Sequence, residues 1–182
     1  MALERWEIDS GHSGIHFSVR HMVVAKVRGQ FSRWSATIVA EDGDLARAQV
    51  EAVIDASSIE TGIADRDAHL KSPDFLDVAN YPELTFKSKR VESLGGGRFL
   101  VLGDLTIRGV TREVALDVEH GGRIKDPWGN ERAGFMARTS IDRKDFGLRW
   151  NQVLEAGGLL VGDRVDIEID VEAVKQTAAK AA

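Results

Sequence analysis

One stretch of the chain concentrates residues suited to acid–base chemistry. Between residues 57 and 82, Asp65, Arg66, Asp67 and His69 fall within five positions. If this stretch is helical, Asp65 and His69 lie four residues apart on one face. A hydrolase would also need a nucleophile beside its base, and no Gly-x-Ser-x-Gly motif is present. We therefore expect these charged groups to tie a helix to the rest of the fold, and we predict no catalytic residue.

Two histidines, His12 and His16, share one face of a predicted strand. Four residues of a strand span roughly 13 Å, too far for two imidazoles to reach one zinc ion at about 2 Å each. His21 would approach them only through a sharp turn, and we identify no Glu or Cys that completes a ligand set. The sequence therefore predicts no metal site and no cofactor.

Basic residues cluster early in the chain at Arg20, His21, Lys26 and Arg28. A solvated surface and an anion contact at the mouth of a barrel are both compatible with this cluster. The triplet Gly95–Gly97 joins two predicted strands, so we interpret it as a turn and not as a phosphate-binding loop.

Composition excludes several classes of protein. The 182 residues fit a single domain over residues 1–182. Lys and Arg total 24 against 29 Asp and Glu, for a net charge of −5, which argues against a nucleic-acid partner. The absence of cysteine excludes disulfides and thiolate metal sites. There is no apolar run of about 18 residues and no signal-peptide pattern, so we predict no integral membrane segment and a cytoplasmic location.

Alternation of apolar and polar residues predicts the elements that position these side chains. It is clearest from Val165 to Val171, and a long bent strand over 27–39 needs a bulge near Arg33. The pattern indicates eight or nine antiparallel strands and one helical insert, which Ser57 or Ser58 would cap. Residues 173–182 are expected to form a disordered or helical tail. The predicted fold is all-β: an extended antiparallel eight-stranded barrel with the insert capping one end. A two-sheet sandwich is the alternative.

The inward face of such a barrel is apolar. By parity it carries Phe17, Val19, Phe31, Ile54, Phe86, Phe99, Val101, Leu105, Leu116, Phe135 and Ile167. The small residues Ala36, Ala52, Gly103 and Ala137 would leave room along the axis. A filled core and an open lumen both fit this pattern, and periodicity alone favours the filled core.

Ordered motifs along the chain resemble the YceI-like family. They include Trp6-x-Ile8-Asp9-x-x-His12-Ser13, Phe17-Ser18-Val19-Arg20-His21-Met22, Arg66-Asp67-x-His69-Leu70, Asp74-Phe75-Leu76-Asp77-Val78, Gly103-Asp104-Leu105-Thr106-Ile107-Arg108-Gly109 and Val161-Gly162-Asp163-x-Val165. The resemblance extends over roughly residues 6 to 173. It implies a lipocalin-like barrel whose lumen binds a long polyisoprenoid chain, no established catalytic mechanism, and a homodimer.

These observations predict a non-enzymatic protein that stores or transports an isoprenoid lipid, such as an isoprenoid quinone or a polyprenyl phosphate. The apolar chain would lie among the inward-facing residues, with Leu70, Phe75 and Leu76 of the insert also turned inward. The polar head would sit at the mouth against Arg20, His21 or Arg28. Two alternatives stay open: an enzyme acting on such lipids through Asp65, His69 or His12, and a filled barrel that binds other proteins.

Overall fold

The computed structural model describes residues 2–154 and 159–177. Within these residues the chain forms eleven strands, one α-helix and three 3-10 helices. The strands are β1 (Leu3–Ile8), β2 (Gly14–His21), β3 (Ala25–Phe31), β4 (Trp34–Glu41), β5 (Asp44–Asp55), β6 (Ile59–Glu60), β7 (Glu83–Gly95), β8 (Arg98–Ile107), β9 (Val110–Lys125), β10 (Glu131–Asp142) and β11 (Val161–Lys175). The helix is α1 (Ala64–Lys71), and the 3-10 helices are Ser10–His12, Ala56–Ser58 and Arg143–Phe146.

The described strands close into a barrel. They join in the order β1-β4-β5-β7-β8-β9-β10-β11, and β11 pairs back onto β1. Strands β1 and β2 form one arm of a long hairpin and β4 and β3 the other, since β1 pairs with β4 and β2 with β3. Strand β11 borders both β1 and β2. The predicted eight-stranded antiparallel barrel is confirmed, and the sandwich is excluded.

The long strand predicted over 27–39 is divided in the structure, and an interruption at Ser32 and Arg33 stands where a bulge was predicted. Strand β3 ends at Phe31 and β4 begins at Trp34, and both side chains face the lumen. Strict alternation would place residues an odd number apart on opposite faces, so the break at Ser32 and Arg33 resets the pattern. Arg33 turns outward instead, and its Nε donates to Asp55 Oδ2 at 2.9 Å.

The insert between β6 and β7 covers one end of the barrel. The Nε of Arg66 donates to Thr61 Oγ1 at 2.7 Å, and its Nη2 donates to Thr61 O at 2.8 Å. Asp67, in the first turn of α1, accepts from the backbone N–H of Thr61 at 2.9 Å. Arg66 and Asp67 therefore join α1 to Thr61 directly after β6, so their partner lies within the insert itself.

The predicted serine cap of this helix is wrong. Helix α1 begins after Ile63 and has no side-chain cap. Ser57 and Ser58 lie earlier, in the 3-10 turn Ala56–Ser58, where Asp55 Oδ1 accepts from the backbone N–H of Ser57 at 3.0 Å. Asp65 and Asp67 in the first turn of α1 stabilise the helix instead, because their negative charges lie near the positive end of its dipole.

Several connections share the end that carries the insert. Strands β2, β5, β8 and β10 all finish there, and we call it the capped end. Arg108, in the β8–β9 turn, donates from Nη1 to the carbonyl of Phe75 in the insert at 2.9 Å. The β2–β3 turn and the segment after β10 lie at the same end, because β2 and β10 run towards it.

The final strand continues beyond Ala173. Strand β11 runs to Lys175, and Lys175 pairs with Trp6 of β1. The predicted tail is therefore wrong for residues 173–175, because closing the barrel requires them to pair with β1. Residues 178–182 lie outside the described part of the chain. In the described residues, no helix combines the length and the apolar character needed to cross a membrane.

Candidate functional site: the barrel lumen

An apolar cavity of about 410 Å³ lies inside the barrel. Its volume falls in the range of small-molecule binding sites. The structure thus has an open lumen where periodicity alone favours a filled core. The apolar residues predicted to face inward all line it: Phe17, Val19, Phe31, Ile54, Leu70, Phe75, Leu76, Phe86, Phe99, Val101, Leu105, Leu116, Phe135 and Ile167.

Small residues keep part of the lumen wall thin. Ala36 and Ala52 face each other across β4 and β5, and both line the cavity together with Ala137. Gly103 acts differently. A Cβ at Gly103 would lie 2.6 Å from Cζ of Phe86 and 2.6 Å from the carbonyl oxygen of Lys87, so the glycine allows the Phe86 ring to approach the backbone of β8 closely.

Polarity along the lumen is uneven. The polar side chains that line it are Arg20, His21, Thr61, Arg66, His69, Thr139 and Arg143. All except Thr139 lie at the end of β2, in the insert or just after β10, which places them at the capped end. The described lining at the opposite end is apolar and includes Leu45, Val91, Phe99 and Val118. The few polar side chains of this almost wholly apolar lumen therefore lie mostly at the capped end.

An aromatic cluster closes the wall between the insert and the segment after β10. The His69 ring packs edge-on against Phe75 and Trp150, with centroid distances of 5.1 and 4.6 Å. His69 Nε2 also lies 2.9 Å from Asp74 Oδ2. The carboxylate beside His69 is therefore Asp74, and Asp65 is exposed. Through these contacts His69 holds the insert against Trp150 in the segment after β10.

Arg143 is the most buried charged side chain at the capped end, with 3% exposure. It donates to the carbonyls of Leu148, Gly162 and Trp150 at 2.6, 2.8 and 2.9 Å. Burial lowers the pKa of Arg143, and Asp163 at 3.8 Å partly opposes that shift. Because its guanidinium donates to carbonyls in the segment after β10 and in β11, Arg143 joins that segment to the start of β11.

The basic residues of β2 and β3 separate in the structure. Arg20 and His21 are both among the residues that line the lumen, although Arg20 is exposed. Arg28 is exposed and is not among the lining residues. It stands across from Ser18 in the β2–β3 ladder, and this position removes it from contact with a head group inside the lumen.

The family of the chain follows from its match to a known domain. Residues 6–173 match the family model described as a YceI-like domain. The chain belongs to the YceI-like family. A UPF0312 protein of Vibrio parahaemolyticus is 36% identical over 165 residues, which cover 91% of this chain and 83% of that protein.

Two solved structures share the fold of this YceI-like chain. BcnA of Burkholderia cenocepacia superposes with a TM-score of 0.79 at 22% identity, covering 91% of this chain and 98% of that one. A polyisoprenoid binding domain from Saccharophagus degradans, implicated in plant cell wall breakdown, superposes with a TM-score of 0.68 at 18% identity, covering 94% and 98%. At these identities the similarity establishes the fold.

The histidines of this YceI-like protein have other partners than the sequence suggests. His16 is exposed and does not meet His12. Instead His12 Nδ1 lies 2.9 Å from Asp9 Oδ2 and 3.4 Å from Glu172 Oε2, so a glutamate does approach it. Arg132 Nη1 is 2.8 Å from the same Asp9 oxygen. The arginine thus supplies a positive charge to this carboxylate cluster.

Sequence reasoning missed the residues that reach the lumen from irregular segments. Trp150, Leu148 and Arg143 line the lumen from a segment without alternation. Only the folded chain brings Trp150 against His69 of α1 and Arg143 against the carbonyl of Gly162 in β11. By contrast, Leu84, Val114 and Ile169 also line the lumen and share the parity of their strands. The alternation of apolar and polar residues identifies lining residues that lie on strands, but not those that lie in irregular segments.

Acid is expected to weaken the fold of this YceI-like protein through Arg132. Its guanidinium binds Asp126 and Asp9, each at 2.8 Å. Hydrogen bonds from His12 and Arg132 lower the pKa of Asp9 to about 2, and a hydrogen bond from Arg132 lowers that of Asp126 to about 2, from 3.8. The unfolded chain therefore takes up these protons first, so stability present above pH 3.8 is lost as the pH falls towards 2.

Urea unfolding at stepwise lower pH measures this dependence. In the Arg132→Gln variant, which lacks the guanidinium that lowers both pKa values, the free energy of unfolding should decline less steeply below pH 4. His12 acts in the opposite sense: Asp9 raises its pKa above 6.5, so its contribution is present below 6.5 and is lost as the pH rises through the raised value. Its side chain is 68% exposed, and screening keeps that contribution small. An unchanged acid slope in Arg132→Gln would contradict the assignment.

Proposed function

We propose that this YceI-like protein binds a long-chain isoprenoid lipid, such as an isoprenoid quinone or a polyprenyl phosphate, and stores or transports it unaltered. The observation that carries the proposal is the apolar lumen of about 410 Å³, whose few polar lining residues lie mostly at the capped end. The polyisoprenoid binding domain of Saccharophagus degradans has the same fold and supports this assignment.

The apolar chain of the lipid would extend along the strands. Phe99 and Ile107 of β8 both line the lumen, and eight strand residues span roughly 26 Å. Each methylene moved from water into such an environment contributes about 0.8 kcal/mol. An elongated apolar lumen therefore favours a long unbranched or repeating hydrocarbon over a compact ligand.

The head group would sit at the capped end. Arg20 and His21 line the lumen there, as does Arg66 of the insert. A phosphate would accept charge-assisted hydrogen bonds from an arginine, and a quinone carbonyl would accept from an imidazole N–H. Arg28 is left out of this contact because it is exposed and lies outside the lining.

We propose a binding role without catalysis because the polar groups of the insert already serve the fold. Arg66 and Asp67 hold Thr61, and His69 is engaged by Asp74 and two aromatic rings. These contacts leave the imidazole in the wall of the lumen. The homodimer and the cytoplasmic location stay predictions.

Native mass spectrometry of protein purified without detergent tests the proposal. We expect an added mass that solvent extraction releases as an isoprenoid lipid. Stripped and refolded protein should rebind a polyprenyl phosphate but not an isopentenyl phosphate, which carries the same head group on one isoprene unit. Repeated preparations without lipid, together with no uptake of the added polyprenyl chain, would overturn the proposal.

A further inference from the structure

The tip of the β2–β3 hairpin exposes three consecutive apolar residues. Met22, Val23 and Val24 are 45%, 61% and 84% exposed. Met22 and Val23 adopt φ angles of 54° and 68°, in the left-handed region that a β-branched residue rarely adopts. Asn or Gly would relieve this strain. A strained, solvent-exposed apolar turn indicates a contact surface.

The hairpin that carries this tip is basic within an acidic protein. Residues 14–31 contain Arg20, Lys26 and Arg28 and no Asp or Glu, although the net charge of the chain is −5. None of the three forms an ion pair with any described residue. Asp166 on neighbouring β11 is already bonded to Ser140 and Arg164, and Lys26 adds only the smallest contribution to lowering its pKa. Lys26 and Arg28, which do not line the lumen, are thus available to an external anionic surface.

The tip adjoins the polar end of the lumen. Arg20 and His21 line the lumen, and Met22 follows them directly. The backbone N–H of Met22 donates to the carbonyl of Leu160 at 2.8 Å, and Leu160 also lines the lumen. A surface touching the tip would therefore meet the end of the cavity where the polar lining residues gather.

The opposite end of the barrel offers a comparison. Ile124 and Trp128 there are 65% and 81% exposed, so exposed apolar residues occur at both ends. At that end, however, the cations have acidic neighbours: Arg123 and Lys175 each pair with both Glu4 and Glu131, and the exposed Lys125 helps to lower the pKa of Glu131. The β2–β3 hairpin instead carries its exposed apolar tip beside cations and contains no acidic residue, and this combination suits an anionic bilayer.

We propose that the β2–β3 hairpin docks on an anionic membrane surface, with Met22, Val23 and Val24 entering the headgroup region and Lys26 and Arg28 contacting anionic lipids. Docking in this orientation sets the capped end of the lumen against the bilayer. Exchange of a lipid between bilayer and lumen is the further consequence, and that part rests on the proposed function.

Vesicle flotation with the full chain tests the docking. The protein should float with vesicles of phosphatidylcholine containing about one-third phosphatidylglycerol, and much less with phosphatidylcholine alone. Lys26→Glu/Arg28→Glu should weaken binding at least about tenfold, and added salt should weaken wild-type binding. Val23→Asn/Val24→Ser should also lose binding, and it should fold because asparagine tolerates the left-handed region.

Ile124→Ser/Trp128→Ser is the matched control at the other end, and it should bind vesicles as the wild type does. Equal binding by wild type and the tip variant would overturn the proposal, as would loss of binding in the control variant alone. Sedimentation of the tip variant adds a second readout. A shift to a smaller oligomer with vesicle binding unchanged would assign the tip to contacts between copies of the chain and would overturn membrane docking.

A lumen filled by Ala52→Phe/Ala137→Phe separates this inference from the proposed function. Vesicle flotation should be unchanged in that variant, because neither residue lies on the hairpin. If the wild type floats with anionic vesicles but never carries lipid, docking stands and the proposed function fails. If the wild type carries lipid but does not float with anionic vesicles, the proposed function stands and docking fails.

Discussion

Filling the lumen with two aromatic rings, through Ala52→Phe and Ala137→Phe, is expected to weaken lipid binding on the order of 1,000-fold. Both alanines line the cavity, so the rings would take the space of the hydrocarbon chain. Displacing about five methylenes from the lumen costs about 4 kcal/mol. Titration of stripped protein with a fluorescent polyprenyl phosphate measures the change in Kd.

Ala115→Phe is the control for this loss. Ala115 is exposed on β9 and lies outside the lumen lining, so the added ring should leave the Kd unchanged. Overpacking a filled core costs about 1–3 kcal/mol, whereas rings placed in an open lumen should cost less, and thermal unfolding separates these cases. Wild-type affinity in the double variant would exclude the lumen as the binding site.

Arg143→Met is expected to destabilise the fold by about 3 kcal/mol. The change leaves the carbonyls of Leu148, Trp150 and Gly162 without the donors that now reach them at 2.6–2.9 Å. Methionine fills much of the volume but donates nothing. For a chain of this size the melting temperature should fall by about 6–12 °C, and urea unfolding gives the free energy.

Arg149→Met serves as the control because Arg149 is exposed and forms no ion pair with a described residue. It should change stability by less than about 0.5 kcal/mol. Arg143→Lys should be intermediate, since an ammonium cannot reproduce the fork of the guanidinium. A free energy of unfolding for Arg143→Met equal to that of the wild type would show that the carbonyls find other donors, and the anchoring role would then be wrong.

The strands were predictable because their pattern is local. Alternation in β8 places Val101, Leu105 and Ile107 on one face, and all three are buried. A change of face near Arg33 was predictable for the same reason, since Phe31 and Trp34 break the period at one point, although the structure makes it by interrupting the strand. The end of β11 was not, because residues 173–175 are ordered by pairing with β1, some 165 positions earlier in the chain.

Side-chain partners that depend on how the chain folds back could not be predicted from the sequence. Glu172 meets His12 because β11 lies beside the start of the chain. Asp74, and not Asp65, meets His69 because the chain turns back after α1. Helical spacing suggests the pair Asp65–His69, but packing of the ring between Phe75 and Trp150 decides its direction.

The charged stretch from Asp65 to His69 shows most plainly what the sequence determines and what only the folded structure decides. Its composition alone determined that polar residues would gather in the insert, and strand periodicity determined which apolar residues face inward. Only the tertiary structure decided that the polar groups bind within the cap and that a cavity of about 410 Å³ remains. The reason is geometric: the direction of a side chain follows from local backbone alternation, whereas the space between opposite walls depends on how many strands close the barrel and how they tilt.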